Sequence, residues 1–387
     1  MSAWAAGWPG NTPMLDMYVR SYVEDLNWTL EEVDRGMLRQ IVELFQQARD
    51  AGRQILVVGN GGSASTASHL ACDLGKGTVD FSNPDFKRFR VLSLADNTAL
   101  ITAIGNDLSY EDVFVEQLRM VLRAGDVVVF ISASGNSPNL VRAAEYARAS
   151  GATTIGLLGF GGGKLRGMVD HPLVVSSRNY GISEDFHASV QHVLTQYLRR
   201  ALAGPSRAVA FLDRDGVINQ RAAPHEYIES WEQFRFVDAA LPALRALTAR
   251  GYALIVVTNQ QGVGKGRMSA DALRTLHDEM TLALAAEGVT LAGIFHCPHL
   301  EQDGCFCRKP RPGLIYRALN ETQFLIDMKR SVLIGDSEAD MVAGRAAGLQ
   351  TILVGRSDGN AAAAATHVVT GVEDISAVLA TQPQPTT

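Results

Sequence analysis

Short apolar runs alternate with longer helical segments along most of the chain. Apolar positions recur with helical spacing from Met14 to Ala51, which predicts helix there. Later runs of small and β-branched residues are typical of strands buried on both faces of a parallel sheet. These strands are predicted at 54–58, 127–131, 153–158, 208–212, 252–257 and 332–334. The alternation of strand and helix predicts an α/β protein with parallel sheets flanked by helices.

A helix-breaking stretch in the middle of the chain predicts a domain boundary. A long helical segment is followed by Gly204-Pro205-Ser206, and a new strand begins within a few residues. The predicted domains are 1–203 and 207–387, which suits a chain of 387 residues. Residues 1–14 are expected to form a loose arm, and the tail 382–387 is expected to be disordered.

The composition excludes some classes of partner. Apolar residues make up 47% of the chain and charged residues 20%, as in soluble globular proteins. The net charge of −6 argues against nucleic acid or an anionic membrane surface as a partner. No run approaches the ~20 apolar residues of a membrane span, and the start lacks the basic and apolar parts of a signal peptide. A cytoplasmic location is therefore predicted.

Two carboxylates follow the strand predicted at 208–212. The strand ends on Asp213, Asp215 comes two positions later, and Gly216 permits a sharp turn between strand and loop. Two acids this close favour a divalent cation with oxygen ligands between them. One carboxylate can then attack phosphorus while the other moves protons. The alternative is a plain strand followed by an Asp-Gly turn.

Three of the four cysteines are clustered, which favours a metal site over disulfides. The loop 297–307 supplies Cys297, His299, Cys305 and Cys307. Such a Cys₃His set closes a tetrahedral structural Zn²⁺ site, and metal binding would rigidify the loop that carries the next basic residues. A reduced cluster without metal is the alternative.

Two Gly- and Ser-rich turns in the first half have the composition of anion sites. GNGGSAS (59–65) follows one predicted strand and SASGNSPN (132–139) follows another. Backbone N–H groups and hydroxyls at a strand-to-helix turn can hold a phosphate without a charged side chain. A purely structural turn remains the alternative for the first of them.

The string DRDGVIN resembles the first motif of the haloacid dehalogenase (HAD) superfamily of phosphatases. By this resemblance Asp213 is the nucleophile that becomes an aspartyl phosphate, and Asp215 is the general acid and base. The resemblance further implies phosphoryl-binding, charge-neutralising and Mg²⁺-binding roles. Thr258 and Asn259 bind the phosphoryl group, Lys309 neutralises charge, Asp213, Asp215 and Asp336 hold Mg²⁺, and Asp340 supports them.

Within that superfamily, VVTNQQGVGKG and CFCRKPRPG resemble the heptose 1,7-bisphosphate phosphatases, and nearly as well the histidinol phosphate phosphatases. The resemblance implies that Arg308 and Arg311 contact the substrate. The motifs alone leave both substrates open.

GNGGSAS and SASGNS, together with HLACDLG and LADNTALITAIGND, resemble the sugar isomerase (SIS) domain, above all that of the phosphoheptose isomerases. The family converts sedoheptulose 7-phosphate into an aldoheptose 7-phosphate, D-glycero-D-manno-heptose 7-phosphate, by proton transfer between C1 and C2. The resemblance implies a substrate-binding set at the two turns and in the segment between them. This set is Asn60, Gly61, Gly62, Ser63, Asp96, Ser132, Ser134 and Ser137.

Two residue pairs are the candidates for proton transfer and metal binding in the isomerase half. His69 and Asp73 are four apart and share a helix face, as do Glu184 and His192, which are eight apart. The family gathers His, Glu, Gln and His around zinc at these positions, whereas this chain has Asp73 and Glu184 for Glu and Gln. All four are expected to hold Zn²⁺, with Asp73 and His192 as the proton-transfer pair and His187 as a substitute. Helix pairs without metal are the alternative.

The two resemblances together predict a bifunctional enzyme of heptose biosynthesis acting on heptose phosphates. A kinase must add the anomeric phosphate between the two steps, and no GxxxxGK[ST] motif occurs. A separate kinase is therefore an expected partner. The resemblance also implies a homotetramer or homodimer formed through the first domain. The rivals are a non-catalytic, sugar-phosphate-binding SIS module, and a histidinol phosphate phosphatase with an unrelated SIS partner.

Overall fold

The structure is a computed structural model that describes residues 13–223, 226–355 and 359–380. Two compact units divide between Ala203 and Gly204, at the predicted linker. Each unit contains one sheet whose neighbouring strands are all parallel. The predicted α/β class is confirmed. No helix in the described ranges has the length and apolar character needed to cross a membrane.

The first unit is a five-stranded sheet in the order β2-β1-β3-β4-β5, with helices packed on it. Its strands are β1 (Gln54–Gly59), β2 (Arg90–Ser93), β3 (Val127–Ser132), β4 (Thr153–Leu158) and β5 (His171–Val174). Its helices are α1 (Pro13–Glu31), α2 (Arg35–Asp50), α3 (Gly62–Cys72), α4 (Thr98–Asp107), α5 (Val113–Val121), α6 (Pro138–Ala149) and α7 (Tyr180–Leu202).

The periodic segment 14–51 is two helices rather than one. Helix α1 ends at Glu31, and Asp34 begins α2 by accepting a hydrogen bond from the backbone N–H of Met37 at 2.9 Å. An aspartate at this position satisfies one of the unpaired N–H groups of the new helix. The apolar spacing continues across the break, so periodicity alone did not reveal it.

The second unit is a six-stranded sheet in the order β11-β10-β9-β6-β7-β8. Its strands are β6 (Val209–Leu212), β7 (Ala253–Asn259), β8 (Leu291–Cys297), β9 (Val332–Gly335), β10 (Gln350–Val354) and β11 (His367–Val369). Its helices are α8 (Ala240–Ala249), α9 (Gln261–Gly264), α10 (Ala270–Ala286), α11 (Gly313–Glu321), α12 (Glu338–Ala346), α13 (Asn360–Ala364) and α14 (Ile375–Ala380).

The central strand of the second sheet is fully buried on both faces. Ala210 and Leu212 of β6 pack into one apolar cluster, whereas Val209 and Phe211 pack into the other. Because β7 and β9 flank β6, the loops that follow these three strands emerge side by side at one edge. The fold therefore brings together the three strand ends that carry the predicted phosphatase residues.

Some strands lack a strong sequence pattern and were not predicted. Strands β2 and β5 lie at the edges of the first sheet, and β5 contains Pro172, which an edge strand tolerates. His171 is the first residue of β5. The last two residues of the expected arm, 13 and 14, instead begin α1. The rest of that arm and the expected disorder of 382–387 lie outside the described residues.

Burial of His187 predicts an acid-sensitive first unit. His187 of α7 is 1% exposed, and burial, against a smaller effect of the Leu158 backbone, lowers its pKa to about 4. In the unfolded chain the imidazole of His187 has its ordinary pKa, so it binds a proton more readily than in the folded protein. The free energy of unfolding therefore falls by about 3 kcal/mol as the pH drops from about 6.5 to 4. In urea unfolding followed by circular dichroism, His187→Gln is expected to flatten this pH dependence. An equal pH slope in both proteins would contradict the prediction.

Candidate functional site

The two Gly- and Ser-rich turns of the first unit lie side by side. Strands β1 and β3 are parallel neighbours, so the turns after them share one edge of the sheet. The side-chain amides of Asn60 and Asn139 exchange hydrogen bonds of 2.9 and 3.0 Å across this edge. The Tyr110 hydroxyl donates to Asn60 Oδ1 at 3.1 Å. These bonds fix the spacing of the two turns.

Backbone and hydroxyl groups line these turns. Ser63 is buried in the first turn of α3, and Ser137 is the N-cap residue of α6, with a hydroxyl that makes no capping hydrogen bond. The hydroxyls of Ser132 and Ser134 instead accept from loop N–H groups at 3.0 and 3.3 Å. Gly135 has φ +63°, and a Cβ there would collide with the carbonyl oxygen of Gly162. Only glycine therefore fits this turn.

A histidine–carboxylate cluster lies between α3 and α7. Asp73 Oδ2 is 3.5 Å from His69 Nε2 and 3.4 Å from His192 Nδ1, and the two imidazole rings are 4.8 Å apart. Gln191 Nε2 donates to the same oxygen at 3.0 Å. Two imidazoles and a carboxylate fit Zn²⁺, and all three side chains are partly open to solvent, as a catalytic metal requires.

The other predicted residues of this half lie around the cluster or away from it. The Glu184 carboxylate lies against Gly62, at the start of α3, and is not one of the three grouped ligands. Its role as a zinc ligand stays a prediction. His187 is buried, and its role as a substitute for His192 stays a prediction. Asp96 accepts a hydrogen bond from the Ser68 hydroxyl beside α3. Sequence reasoning did not single out Gln191, Asn139 or Tyr110.

In the second unit, an ammonium group lies between two buried carboxylates. Lys309 Nζ is 2.8 Å from Asp213 Oδ1 and 2.5 Å from Asp340 Oδ1, and it donates to the Val257 carbonyl at 2.8 Å. Burial alone would lower the pKa of Lys309, but the two carboxylates outweigh it and raise that pKa. Burial raises the pKa of Asp213, and Lys309 opposes this rise. The Lys309 ammonium thus favours the ionised form of Asp213, which burial disfavours.

The Asp215 carboxylate is held apart from this group by other donors. Arg214 Nη2 donates to both its oxygens at 2.9 and 3.0 Å, and Asn219 and Gln260 donate at 2.9 and 2.8 Å. Burial would raise the pKa of Asp215, but Arg214 and the amide donors lower it below its usual range. The oxygens that can share a cation belong to Asp213, Asp336 and Asp340. Direct ligation by Asp215 stays a prediction.

The same carboxylate group fits a divalent cation. Asp336 Oδ1 is buried and has no hydrogen-bond partner among the described residues, while its other oxygen pairs with Arg221. A Cβ on Gly216 would collide with the Asp336 carboxylate, so glycine after the paired aspartates lets the two loops meet. An unpaired buried carboxylate oxygen next to two further carboxylates is a suitable ligand set for Mg²⁺.

These groups open into a cavity of about 430 Å³. Thr258 is 1% exposed and accepts from Gln260 Nε2 at 2.9 Å. Asn259 exchanges hydrogen bonds with the backbone of Lys309 at 3.0 and 3.1 Å, so it also fixes that loop. The guanidinium groups of Arg221 and Arg308 line the cavity. Cationic walls and a volume in the range of small-ligand sites suit a phosphorylated substrate.

The predicted zinc ligands converge. Cys297 Sγ is 3.6 Å from both His299 Nδ1 and Cys305 Sγ, and Cys307 Sγ is 3.3 Å from His299 Nδ1 and 3.6 Å from Cys305 Sγ. A tetrahedron with Zn–S bonds of ~2.3 Å has edges of ~3.7 Å. The four atoms therefore already form a zinc-sized cage.

Arg311 supports this loop rather than lining the cavity. Its guanidinium donates to the carbonyl oxygens of Gly304 and Cys305, the latter at 2.6 Å. Arg308, in contrast, lines the cavity and donates to Gln261 and the His299 carbonyl at 3.4 Å. A substrate contact by Arg311 stays a prediction. Sequence reasoning missed Arg214, Asn219 and Gln260, although the first two lie within the quoted string DRDGVIN.

The first unit has the fold and turns of a sugar-phosphate isomerase domain, and the second has those of an aspartate-dependent phosphatase. Family models agree: a SIS domain matches residues 18–159, and a HAD-hydrolase-like model matches residues 306–376. The first half of the chain belongs to the phosphoheptose isomerase family, and the second half belongs to the D-glycero-β-D-manno-heptose-1,7-bisphosphate 7-phosphatase family.

Two relatives similar in sequence support this assignment. A phosphoheptose isomerase of Trichlorobacter lovleyi is 32% identical over 200 residues, which cover 49% of this chain and 96% of the relative. A D-glycero-β-D-manno-heptose-1,7-bisphosphate 7-phosphatase of Pasteurella multocida is 41% identical over 151 residues. The match covers 37% of this chain and 79% of the relative. Among solved structures, a D,D-heptose 1,7-bisphosphate phosphatase of B. bronchiseptica, complexed with magnesium and phosphate, is 30% identical to this chain. The match covers 46% of this chain and 99% of that structure, with a TM-score of 0.41.

The cysteine cage predicts a zinc-dependent loop. Cys307→Ser is expected to lower the zinc content of the purified protein by about one ion per chain, since serine is a poor zinc ligand. It should also lower the stability of the second unit, because metal binding contributes folding free energy. Elemental analysis and a thermal melt measure both effects, and Cys72→Ser, an exposed cysteine of the first unit, is the control. Unchanged zinc content in Cys307→Ser would refute the cage.

Proposed function

We propose that the chain is a bifunctional enzyme of heptose biosynthesis. Its first half isomerises sedoheptulose 7-phosphate to D-glycero-D-manno-heptose 7-phosphate, and its second half hydrolyses heptose 1,7-bisphosphate to a heptose monophosphate and phosphate. The observation that carries the proposal is family membership of both halves in one chain, each with a matching site. Histidinol phosphate is less favoured as a substrate, since a heptose phosphate isomerase occupies the same chain.

The phosphatase step uses Asp213 as the nucleophile. Its carboxylate attacks phosphorus, the bond between phosphorus and the sugar oxygen breaks, and Asp215 supplies the proton that the leaving oxygen requires. Water then attacks the aspartyl phosphate while Asp215 accepts a proton, which restores the free carboxylate and releases phosphate. Lys309, 2.8 Å from Asp213, stabilises negative charge as it develops on the transferring group.

Mg²⁺ is proposed as the cofactor of this half, held by Asp213 and Asp336 with Asp340 beside them. When bound, it would neutralise phosphate charge and orient the group for in-line attack. Asp215 is assigned the acid–base role, because its carboxylate is not one of the three grouped around the proposed cation.

The isomerase step requires a proton to move between C1 and C2. Asp73 and His192 are proposed as the groups that move this proton. Oδ2 of Asp73 and Nδ1 of His192 are 3.4 Å apart. A zinc ion held by His69, Asp73 and His192, with Glu184 as a further candidate, would polarise the carbonyl and hydroxyl oxygens. The serine-lined turns would hold the phosphate.

The substrate chemistry requires an additional enzyme. The product of the first half carries one phosphate and the substrate of the second carries two, so a kinase must act in between. A separate kinase is therefore proposed as a functional partner, and a homotetramer or homodimer formed through the first half is proposed as the assembly.

Asp213→Asn is expected to lower phosphate release from heptose 1,7-bisphosphate by about 10³-fold or more, because an amide cannot form the aspartyl phosphate. A phosphate-release assay with and without Mg²⁺ measures this. Asp271→Asn, an exposed aspartate of the same unit, is the matched control. Native-rate release by Asp213→Asn would disprove the mechanism, and faster release from histidinol phosphate by the wild type would disprove the substrate.

Asp73→Asn is expected to abolish the isomerase reaction while leaving phosphate release unchanged. Loss of the carboxylate removes both a metal ligand and a proton acceptor, so solvent deuterium incorporation at C1 or C2 should fall at least about 100-fold. Nuclear magnetic resonance of sedoheptulose 7-phosphate in D₂O follows the exchange, and the exposed Asp85→Asn is the control. A wild-type chain without exchange would favour a sugar-phosphate-binding module instead.

A further inference from the structure

The largest fully buried side chain lies next to the proposed acid–base residue. Arg214 is only 1% exposed, although it lines the cavity together with Asp213 and Asp215. A buried guanidinium is tolerated only when its donors are paired, because an unpaired buried charge is costly. The partners of Arg214 therefore matter for the site.

Asp215 pairs with only two of the three nitrogens of the Arg214 guanidinium. Arg214 Nη2 and Nε donate to Asp215 at 2.9 to 3.3 Å, and the remaining arm, Nη1, lies 3.4 Å from Nε2 of His277. Arg has five donor hydrogens and no acceptor, so Nη1 requires an acceptor from the protein. His277 lies on α10, in a different part of the sequence from the nucleophile strand.

His277 is kept in the form that can accept. Its side chain is buried, and burial, together with the charge of Arg214 and the nearby His296, lowers its pKa to about 3. A neutral imidazole has one nitrogen without a proton, and Nε2 is the nitrogen that faces the guanidinium. The chain of contacts is thus His277 to Arg214 to Asp215.

We infer that His277 is a positioning residue of the phosphatase, which fixes the Arg214 guanidinium and through it the Asp215 carboxylate. This inference rests on the proposed phosphatase function, since it assigns a role through Asp215. The Nε and Nη2 donors of Arg214 orient the plane of the Asp215 carboxylate. The imidazole of His277 on α10 keeps the guanidinium from rotating out of this position. Asp215 then meets the leaving oxygen in one orientation, and a loosened carboxylate slows proton transfer more than it weakens substrate binding.

The test compares two substitutions at His277. His277→Leu keeps the volume and removes the acceptor, and it is expected to lower kcat for phosphate release about tenfold with KM changed less than about twofold. His277→Gln offers an amide oxygen and should recover most of the rate. His367→Leu, the same replacement on β11 of the same unit, is the matched control. Thermal melts show that all variants fold.

A double-mutant cycle separates positioning from general structural damage. In an Asp215→Asn background, His277→Leu should change kcat by less than about twofold, because its effect requires the carboxylate. A further tenfold loss there, or equal rates for the Leu and Gln variants, would overturn the inference while the phosphatase function stands. A wild-type chain that releases no phosphate from any sugar phosphate would overturn the proposed function and the inference with it.

Discussion

One buried ion-pair group governs the second unit. Lys309, Asp213 and Asp340 have side chains that are 4%, 13% and 0% exposed, and the ammonium contacts both carboxylates. Charges at this depth are stable only when they are paired and hydrogen-bonded, so the chain must hold three distant segments together. The sheet does this: β6 delivers Asp213, the start of α12 delivers Asp340, and the cysteine loop delivers Lys309. Loss of one partner leaves an unpaired charge, so folding and chemistry depend on the same contacts.

The predicted zinc loop, residues 297–307, leads directly into two basic residues of the cavity. Lys309 and Arg308 follow Cys307 directly, and Asn259 fixes the Lys309 backbone from the end of β7. A loop of this length has little apolar surface with which to fix its own conformation. A metal ion bound by the four ligands would supply folding free energy locally and would set the position of the two basic residues. The charge of the cavity would then rest on a rigid loop.

The turns of the first unit differ from the second site in having neutral donors. Its turns offer serine hydroxyls, asparagine amides and backbone N–H groups, and the Asn60–Asn139 pair links them without ionic charge. The two His side chains and Asp73 supply the charged chemistry on the adjacent helices α3 and α7. Neutral donors suit a reversible isomerisation that retains its phosphate, whereas the second unit concentrates charge around a phosphate that is removed.

The sequence alone determined the class of fold, the division near Gly204 and the chemical character of the main motifs. Buried strands such as β4 and paired residues such as Cys305 and Cys307 are local signals, because their spacing along the chain is enough to predict them. The edge strands and the break between α1 and α2 were missed, because short or continuous apolar patterns do not mark them.

Only the tertiary structure decided which residues surround each motif. It joined Gln191 to Asp73, Asn139 to Asn60 and His277 to Arg214, and it grouped the carboxylates of Asp213, Asp336 and Asp340. It also turned Arg311 towards the zinc loop. These contacts join residues that can be more than a hundred positions apart, and they follow from how strands and helices pack. Local spacing carries no information about that packing, so the sequence names the reactive groups and the fold assigns their partners.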